Sequence, residues 1–116
     1  MSYIHGFLAA VPAANREAFV DHASRAARMF REAGATAIRE CWEDDVPDGT
    51  LTSFPLAVKR EAGEAVVFSW IEWPDKATAE ACFAAMESDP KWREIGDMPF
   101  DGKRMMWGGF TPVVEG

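Results

Sequence analysis

Two segments of this chain alternate like β-strands yet are apolar on both faces, and this restricts the fold more than any other feature. Residues 3–11 carry large apolar or aromatic side chains on one face and smaller apolar ones on the other. Residues 65–73 contain the run Val-Val-Phe-Ser-Trp-Ile-Glu-Trp. A strand that is apolar on both faces needs a second layer packed against each face. We therefore expect both segments to lie inside a sheet that is covered on two sides.

Each of these strands is followed by a segment with helical spacing. After Asn15, a residue type that favours the N-cap, apolar residues recur at helical intervals as far as Ala33, with arginines on the opposite face. Gly34 stands where a glycine commonly ends a helix. The second helix is predicted to begin after Asp75 and to end at residues 89–90, an Asp-Pro pair. Both helices have one apolar face to bury.

Two shorter strands complete the predicted order of elements. They span residues 36–43 and 104–110, and Gly108 and Gly109 indicate a bulge or a close backbone approach in the second. The order is β-α-β-β-α-β, which predicts an α+β, ferredoxin-like domain with an antiparallel sheet over residues 1–116.

The remaining segments are connections. Residues 51–60 are ambiguous, because Pro55 argues against a central strand whereas residues 56–59 could pair at a sheet edge. Residues 91–102 are predicted to be mostly loop.

Composition and charge exclude several classes of protein. With 12 Lys+Arg against 19 Asp+Glu, the net charge is −7, which disfavours binding to nucleic acid or to an anionic membrane. No apolar run approaches the ~18 residues of a membrane span. No secretory signal is visible, and the two cysteines form neither a metal-type nor a disulfide-rich pattern. We expect a cytoplasmic protein that needs no cofactor and no metal.

The apolar strand faces predict a homodimer. Two helices cover one face of a sheet, and the uncovered face would expose a patch larger than solitary domains usually present. Two sheets packed face to face about a two-fold axis would bury it. In the alternative, residues 51–60 and 91–100 fold back over the open face.

Three residues are candidates for catalysis. His5 could act as an acid or base near neutral pH, or could be a hydrogen-bonded interface histidine. Glu40 and Glu72 lie in apolar strands, where burial would raise the pKa of a carboxylate and make it a base. The alternative for both is an ion pair with Arg39 or Arg104 at a sheet edge.

Six residues are predicted to line a ligand cavity between the two sheets. Their size and polarity suit such a space, whereas the smaller alternate residues suit close packing beneath helices. They are Tyr3, His5 and Phe7 on the first strand, and Phe68, Trp70 and Glu72 on the third.

Other groups with chemical potential have simpler interpretations. Cys41 and Cys82 lack an activating neighbour and are expected to be packed thiols. His22 is expected to pack at the edge of the first helix. The acidic run over residues 43–48 lacks the spacing of a calcium loop, and its carboxylates are expected to cap turns or to meet Lys103 or Arg104.

Four stretches together resemble one known family. They are YIHGFLAAVP at residues 3–12, ECWEDDVPDG at 40–49, VVFSWIEWP at 66–74, and MPFDGKRM at 98–105 followed by GGF at 108–110. They resemble the DUF1428 family of small bacterial proteins. The resemblance implies a dimeric α/β barrel fold and no established activity or catalytic residues. The family usually has Asp where His5 and Ser53 stand, and an aliphatic residue at Arg39.

Three functions are compatible with these features. The first is a cofactor-independent enzyme, or a binder of a small molecule, that uses a barrel cavity. The second is a non-enzymatic dimeric interaction or stress-associated module whose tryptophans fill that space. The third, RNA binding, follows only from a label that some family members carry, and the acidic charge disfavours it.

Overall fold

The computed structural model describes all residues 1–116, and its centre is a four-stranded antiparallel sheet in the order β2-β3-β1-β4. The long strands β1 and β3 lie in the middle, as their apolar faces predict. The strand order in the sheet and the order of strands and helices along the chain confirm the α+β, ferredoxin-like topology. The strands are β1 Tyr3–Pro12, β2 Ala37–Trp42, β3 Glu64–Trp73 and β4 Met106–Phe110.

Two long helices pack against one face of the sheet, and a third helix is short. Their bounds are α1 Arg16–Glu32, α2 Phe54–Ala57 and α3 Lys76–Ser88. Asp75 caps α3 as predicted, since its carboxylate accepts a 2.7 Å hydrogen bond from the Thr78 amide. Asn15 stands at the N-cap of α1 but makes no capping bond. Its side-chain amide instead donates to the Pro99 carbonyl at 2.9 Å and ties a distant loop to the helix start.

The segment over residues 51–60 is a helical turn and not an edge strand. Ser53 caps α2 by accepting a 3.0 Å hydrogen bond from the Leu56 amide, and Pro55 lies in the first turn, where its missing N–H costs nothing. Val58 follows and is fully buried against Ala10 and Val66. The segment therefore covers one end of the sheet face that the long helices leave open. This agrees with the alternative to dimerisation, in which residues 51–60 fold back over the open face.

The segment over residues 91–102 contains structure that the sequence did not predict. Residues Pro90–Ile95 form a 3-10 helix, and Trp92 and Ile95 are buried in the main core with Ala26 and Trp73. This segment packs on the helix-covered side of the sheet, so it does not fold over the open face.

The register of the central strands decides which side chains share a face. Tyr3 pairs with Trp73 and His5 with Ile71, so odd-numbered residues of β1 and β3 lie together beneath the helices. Even-numbered residues form the open face, where Leu8 lies opposite Phe68. Close approach explains one glycine of β4, because a Cβ at Gly109 would overlap the Tyr3 ring. None of the helices is long and apolar enough to cross a membrane.

Candidate functional site

A cavity of about 420 Å³ lies between the covered face of the sheet and the helices. Its wall combines strand residues with small residues of α1, whose short side chains leave the space open. Sixteen of its 20 lining residues are hydrophobic. They include Phe7, Ala9, Phe19, Ala23, Ala26, Phe30, Val67, Ile71, Phe83, Met86, Trp92, Ile95, Met98, Phe100, Met105 and Trp107. A volume of this size matches the pockets that hold small molecules.

Glu40 carries the acidic group of this cavity. Its position on β2, opposite Ser69 on β3, puts it on the covered face, and Ser69 Oγ donates to its carboxylate at 2.5 Å. Glu40 is an exposed residue as a whole, but its carboxylate is partly desolvated by the surrounding protein, and this loss of hydration raises the pKa of Glu40 above its ordinary value. The bond from Ser69 opposes this shift. The predicted ion pairs with Arg39 or Arg104 are not formed; Arg104 instead pairs with Glu64 and Asp101.

His22, on α1, is the second titratable group in the cavity wall. Its Nδ1 lies 3.2 Å from the Ile95 carbonyl, an acceptor, so we assign the proton to Nδ1. In the neutral ring, Nε2 is then free to accept a hydrogen bond. Burial lowers the pKa of His22 and the Ile95 carbonyl opposes this, so near neutral pH the ring is predominantly uncharged.

His5 lies outside this cavity, in the aromatic core. Trp73 Nε1 donates a 3.0 Å hydrogen bond to His5 Nδ1, and the Phe83 ring lies 4.4 Å away between centroids. Burial lowers the pKa of His5, which keeps the ring neutral and able to accept this bond. The geometry therefore matches the alternative of a hydrogen-bonded structural histidine, although its partner is in the core and not at an interface.

The prediction that six residues line one cavity is wrong, because the six do not lie on the same face of the sheet. Tyr3, His5 and Phe7 lie on the covered face, whereas Phe68, Trp70 and Glu72 lie on the open face. The prediction assumes that the large strand residues face away from the helices. Small helix residues, such as Ala26 and Ala79, in fact make room for the large residues of β1. Within the six, Phe7 alone lines the cavity described above.

Glu72 occupies a partly open position on the uncovered face. Its carboxylate accepts a 3.1 Å hydrogen bond from Trp70 Nε1, and it makes no ion pair. The neighbouring Phe68 packs at 5.6 Å from Trp70 between ring centroids. These three residues therefore belong to the apolar open face.

The acidic loop has a structural partner that the sequence did not reveal. Arg60 donates to Glu43 at 2.7 Å and to Asp48 at 3.0 Å, which joins the start and end of the loop. Glu43 also accepts from the Val66 amide at 2.5 Å, and the interactions with Arg60 and Val66 lower the pKa of Glu43 against the opposing effect of burial. Arg60 therefore forms the ion pairs with the acidic loop that were expected for Lys103 or Arg104. No cluster of acidic, histidine or cysteine residues has metal-binding geometry.

Ser69 and His22 are polar residues of the cavity wall that the sequence prediction did not include. Ser69 is a buried polar residue in the apolar middle of β3, and a buried polar residue usually has a hydrogen-bond partner. That signal was present in the sequence. Cys82 agrees with the expectation of a packed thiol, since it is buried and burial raises the pKa of its thiol to about 11.

The comparisons with known proteins agree with the fold described above. A model of a family described as a protein of unknown function (DUF1428) matches residues 2–102. The chain belongs to the DUF1428 family. It is 51% identical over 116 residues to the uncharacterized protein YbaA of Escherichia coli (strain K12), covering 99% of both chains, and equally similar to YbaA of Shigella flexneri.

A solved structure with a similar fold supports the topology. It is a dimeric ferredoxin-like protein from an uncultured marine organism, with a TM-score of 0.62 and 14% identity. The alignment covers 98% of this chain and 97% of that one. At this identity, the similarity establishes the ferredoxin-like fold of this DUF1428 member and no activity.

Proposed function

We propose that this protein binds a small, largely apolar molecule in the helix-side cavity, with Glu40 in contact with its polar end. The observation that carries the proposal is a carboxylate held by Ser69 in the wall of an otherwise apolar 420 Å³ space. A carboxylate that is partly withdrawn from water and has no cationic partner costs free energy of folding, so its presence calls for a compensating role. Ligand recognition is such a role.

The same geometry gives Glu40 the properties of a general base. Desolvation raises the pKa of Glu40, which strengthens the carboxylate as a proton acceptor. The bond from Ser69 orients it, and no bound metal or cofactor is needed for a proton transfer of this kind. The proposal therefore refines the expectation of a cofactor-independent enzyme or binder: the site lies beneath the helices, and Glu40 is the candidate catalytic residue.

Binding of a neutral apolar probe, naphthylmethanol, tests this proposal by calorimetric titration. We expect saturable binding by the unaltered protein. Ala23→Leu fills the cavity from α1 and should weaken binding at least about tenfold, whereas Ala18→Leu places the same change on the exposed side of that helix and should leave binding unaltered. Absence of saturable binding, or equal binding by both variants, would contradict the proposal.

A second function, self-association as a homodimer, is supported by the open sheet face. Phe68, Met106 and Phe110 remain 44%, 48% and 60% exposed there, next to Ile4 and Leu8. The α2 segment covers only one end of this face. The ferredoxin-like protein with a similar fold is described as dimeric. We infer that a second copy packs its sheet on this surface, away from the helix-side cavity.

A further inference from the structure

The helix-side cavity has an acidic side chain in its wall and no basic one. Among its lining residues, Glu40 and His22 are titratable, and neither lysine nor arginine is present. Arg16 lies outside this cavity and lines a separate groove between α1 and β2, to which Glu40 also contributes. Its guanidinium lies over the Trp42 ring, 5.4 Å from the centroid, and makes no ion pair with Glu40. The carboxylate is therefore without a counter-charge.

One other polar group of the wall, His22, also favours a donor or a positive charge, whereas the indole N–H of Trp92 is itself an unpaired donor. Neutral His22 has Nε2 available as an acceptor, because Nδ1 is directed to the Ile95 carbonyl. Aromatic rings supply much of the remaining surface, and the faces of such rings attract cations. They include Phe19, Phe30, Phe83, Trp92 and Trp107.

From this arrangement we propose that the ligand is an organic cation, an amine with an apolar body, whose ammonium group pairs with Glu40. The proposal rests on the ligand-binding function argued above and adds the chemical class of the ligand. An anionic ligand would place a second negative charge beside Glu40 in an apolar space. A neutral alcohol would donate one hydrogen bond but leave the charge of Glu40 uncompensated.

Three probes of nearly equal shape and different charge separate these cases. Calorimetric titrations near neutral pH would use naphthylmethylamine, naphthylmethanol and naphthoate. We expect the amine to bind at least about tenfold more tightly than the alcohol, a ratio typical of adding a desolvated charge pair. Naphthoate should bind more weakly than the alcohol.

Substitution of the carboxylate assigns the preference to Glu40. Glu40→Gln keeps the size of the side chain and an acceptor for Ser69, so it should remove the tenfold preference for the amine over the alcohol. Glu32→Gln removes the same charge from an exposed position of α1 and should preserve the preference. This control separates a local ion pair from the effect of the net charge.

The possible failures are distinguishable. If none of the probes binds the unaltered protein, the proposed ligand-binding function is wrong. If the alcohol binds as tightly as the amine, or if the preference for the amine survives in Glu40→Gln, the organic-cation assignment is wrong while ligand binding in the cavity stands.

Discussion

Two buried tryptophans differ in whether their indole N–H is hydrogen-bonded, and we expect this difference to affect stability. The indole N–H of Trp73 donates to His5, whereas the indole N–H of Trp92 is buried without an acceptor. Trp73→Phe would leave His5 Nδ1 unpaired, and Trp92→Phe would remove an unsatisfied donor. We expect Trp73→Phe to lower the free energy of unfolding by about 1–2 kcal/mol more than Trp92→Phe. Urea denaturation measures both, and an equal loss would contradict the assigned bond.

The raised pKa of Glu40 also makes a prediction about stability. An acid whose pKa is higher in the folded state than in the unfolded state disfavours folding once the pH exceeds the unfolded value, and the penalty grows until the pH exceeds the folded value. Glu40→Gln should therefore match the unaltered protein near pH 4 and be more stable near pH 8. Thermal denaturation across this range checks the sign. A variant that is less stable at pH 8 would show that the ionised carboxylate stabilises the fold.

At the scale of elements, the short α2 segment closes one end of the open face through Val58. This side chain is 0% exposed and packs on Ala10 and Val66. Val58→Ala removes about two buried methyl(ene) equivalents and should cost about 2 kcal/mol. Val20→Ala, on the 51% exposed face of α1, is the matched control and should change the free energy of unfolding by less than about 0.5 kcal/mol. A small loss at Val58 would mean that the segment detaches readily from the sheet.

At the scale of the whole molecule, the open face predicts a homodimer at micromolar concentration. Phe68→Glu and Phe110→Glu place a charge in the middle and at the edge of this face, and each should shift the protein towards the monomer. Val20→Glu adds the same charge to an exposed apolar position on the helix side and should leave the dimer intact. Sedimentation equilibrium measures the mass in each case. A monomeric unaltered protein at micromolar concentration would contradict this prediction.

Local signals in the sequence were sufficient for the order of elements and for most helix ends. Apolar strands on either side of helical spacing predicted β-α-β-β-α-β, and Asp75 predicted the start of α3, because capping involves residues three positions apart. The short α2 was missed even though Ser53 and Pro55 form a local start signal, since a four-residue helix has little periodicity. The packed 3-10 helix at Pro90–Ile95 depends on burial of Trp92, which is a long-range contact.

By itself, the sequence predicted the ferredoxin-like topology, the central position of the two strands that are apolar on both faces, and Glu40 as a candidate residue. The tertiary structure alone decided which face each strand residue occupies. A change of one residue in the register between β1 and β3 reverses which β3 residues share a face with Tyr3 and His5. Because both strands are apolar on both faces, their periodicity does not specify that register. The pairing of Tyr3 with Trp73 placed His5 in the core and left Glu72 on the open face. The pairing of Glu40 with Ser69 likewise placed both in the wall of a cavity that the small residues of α1 leave open.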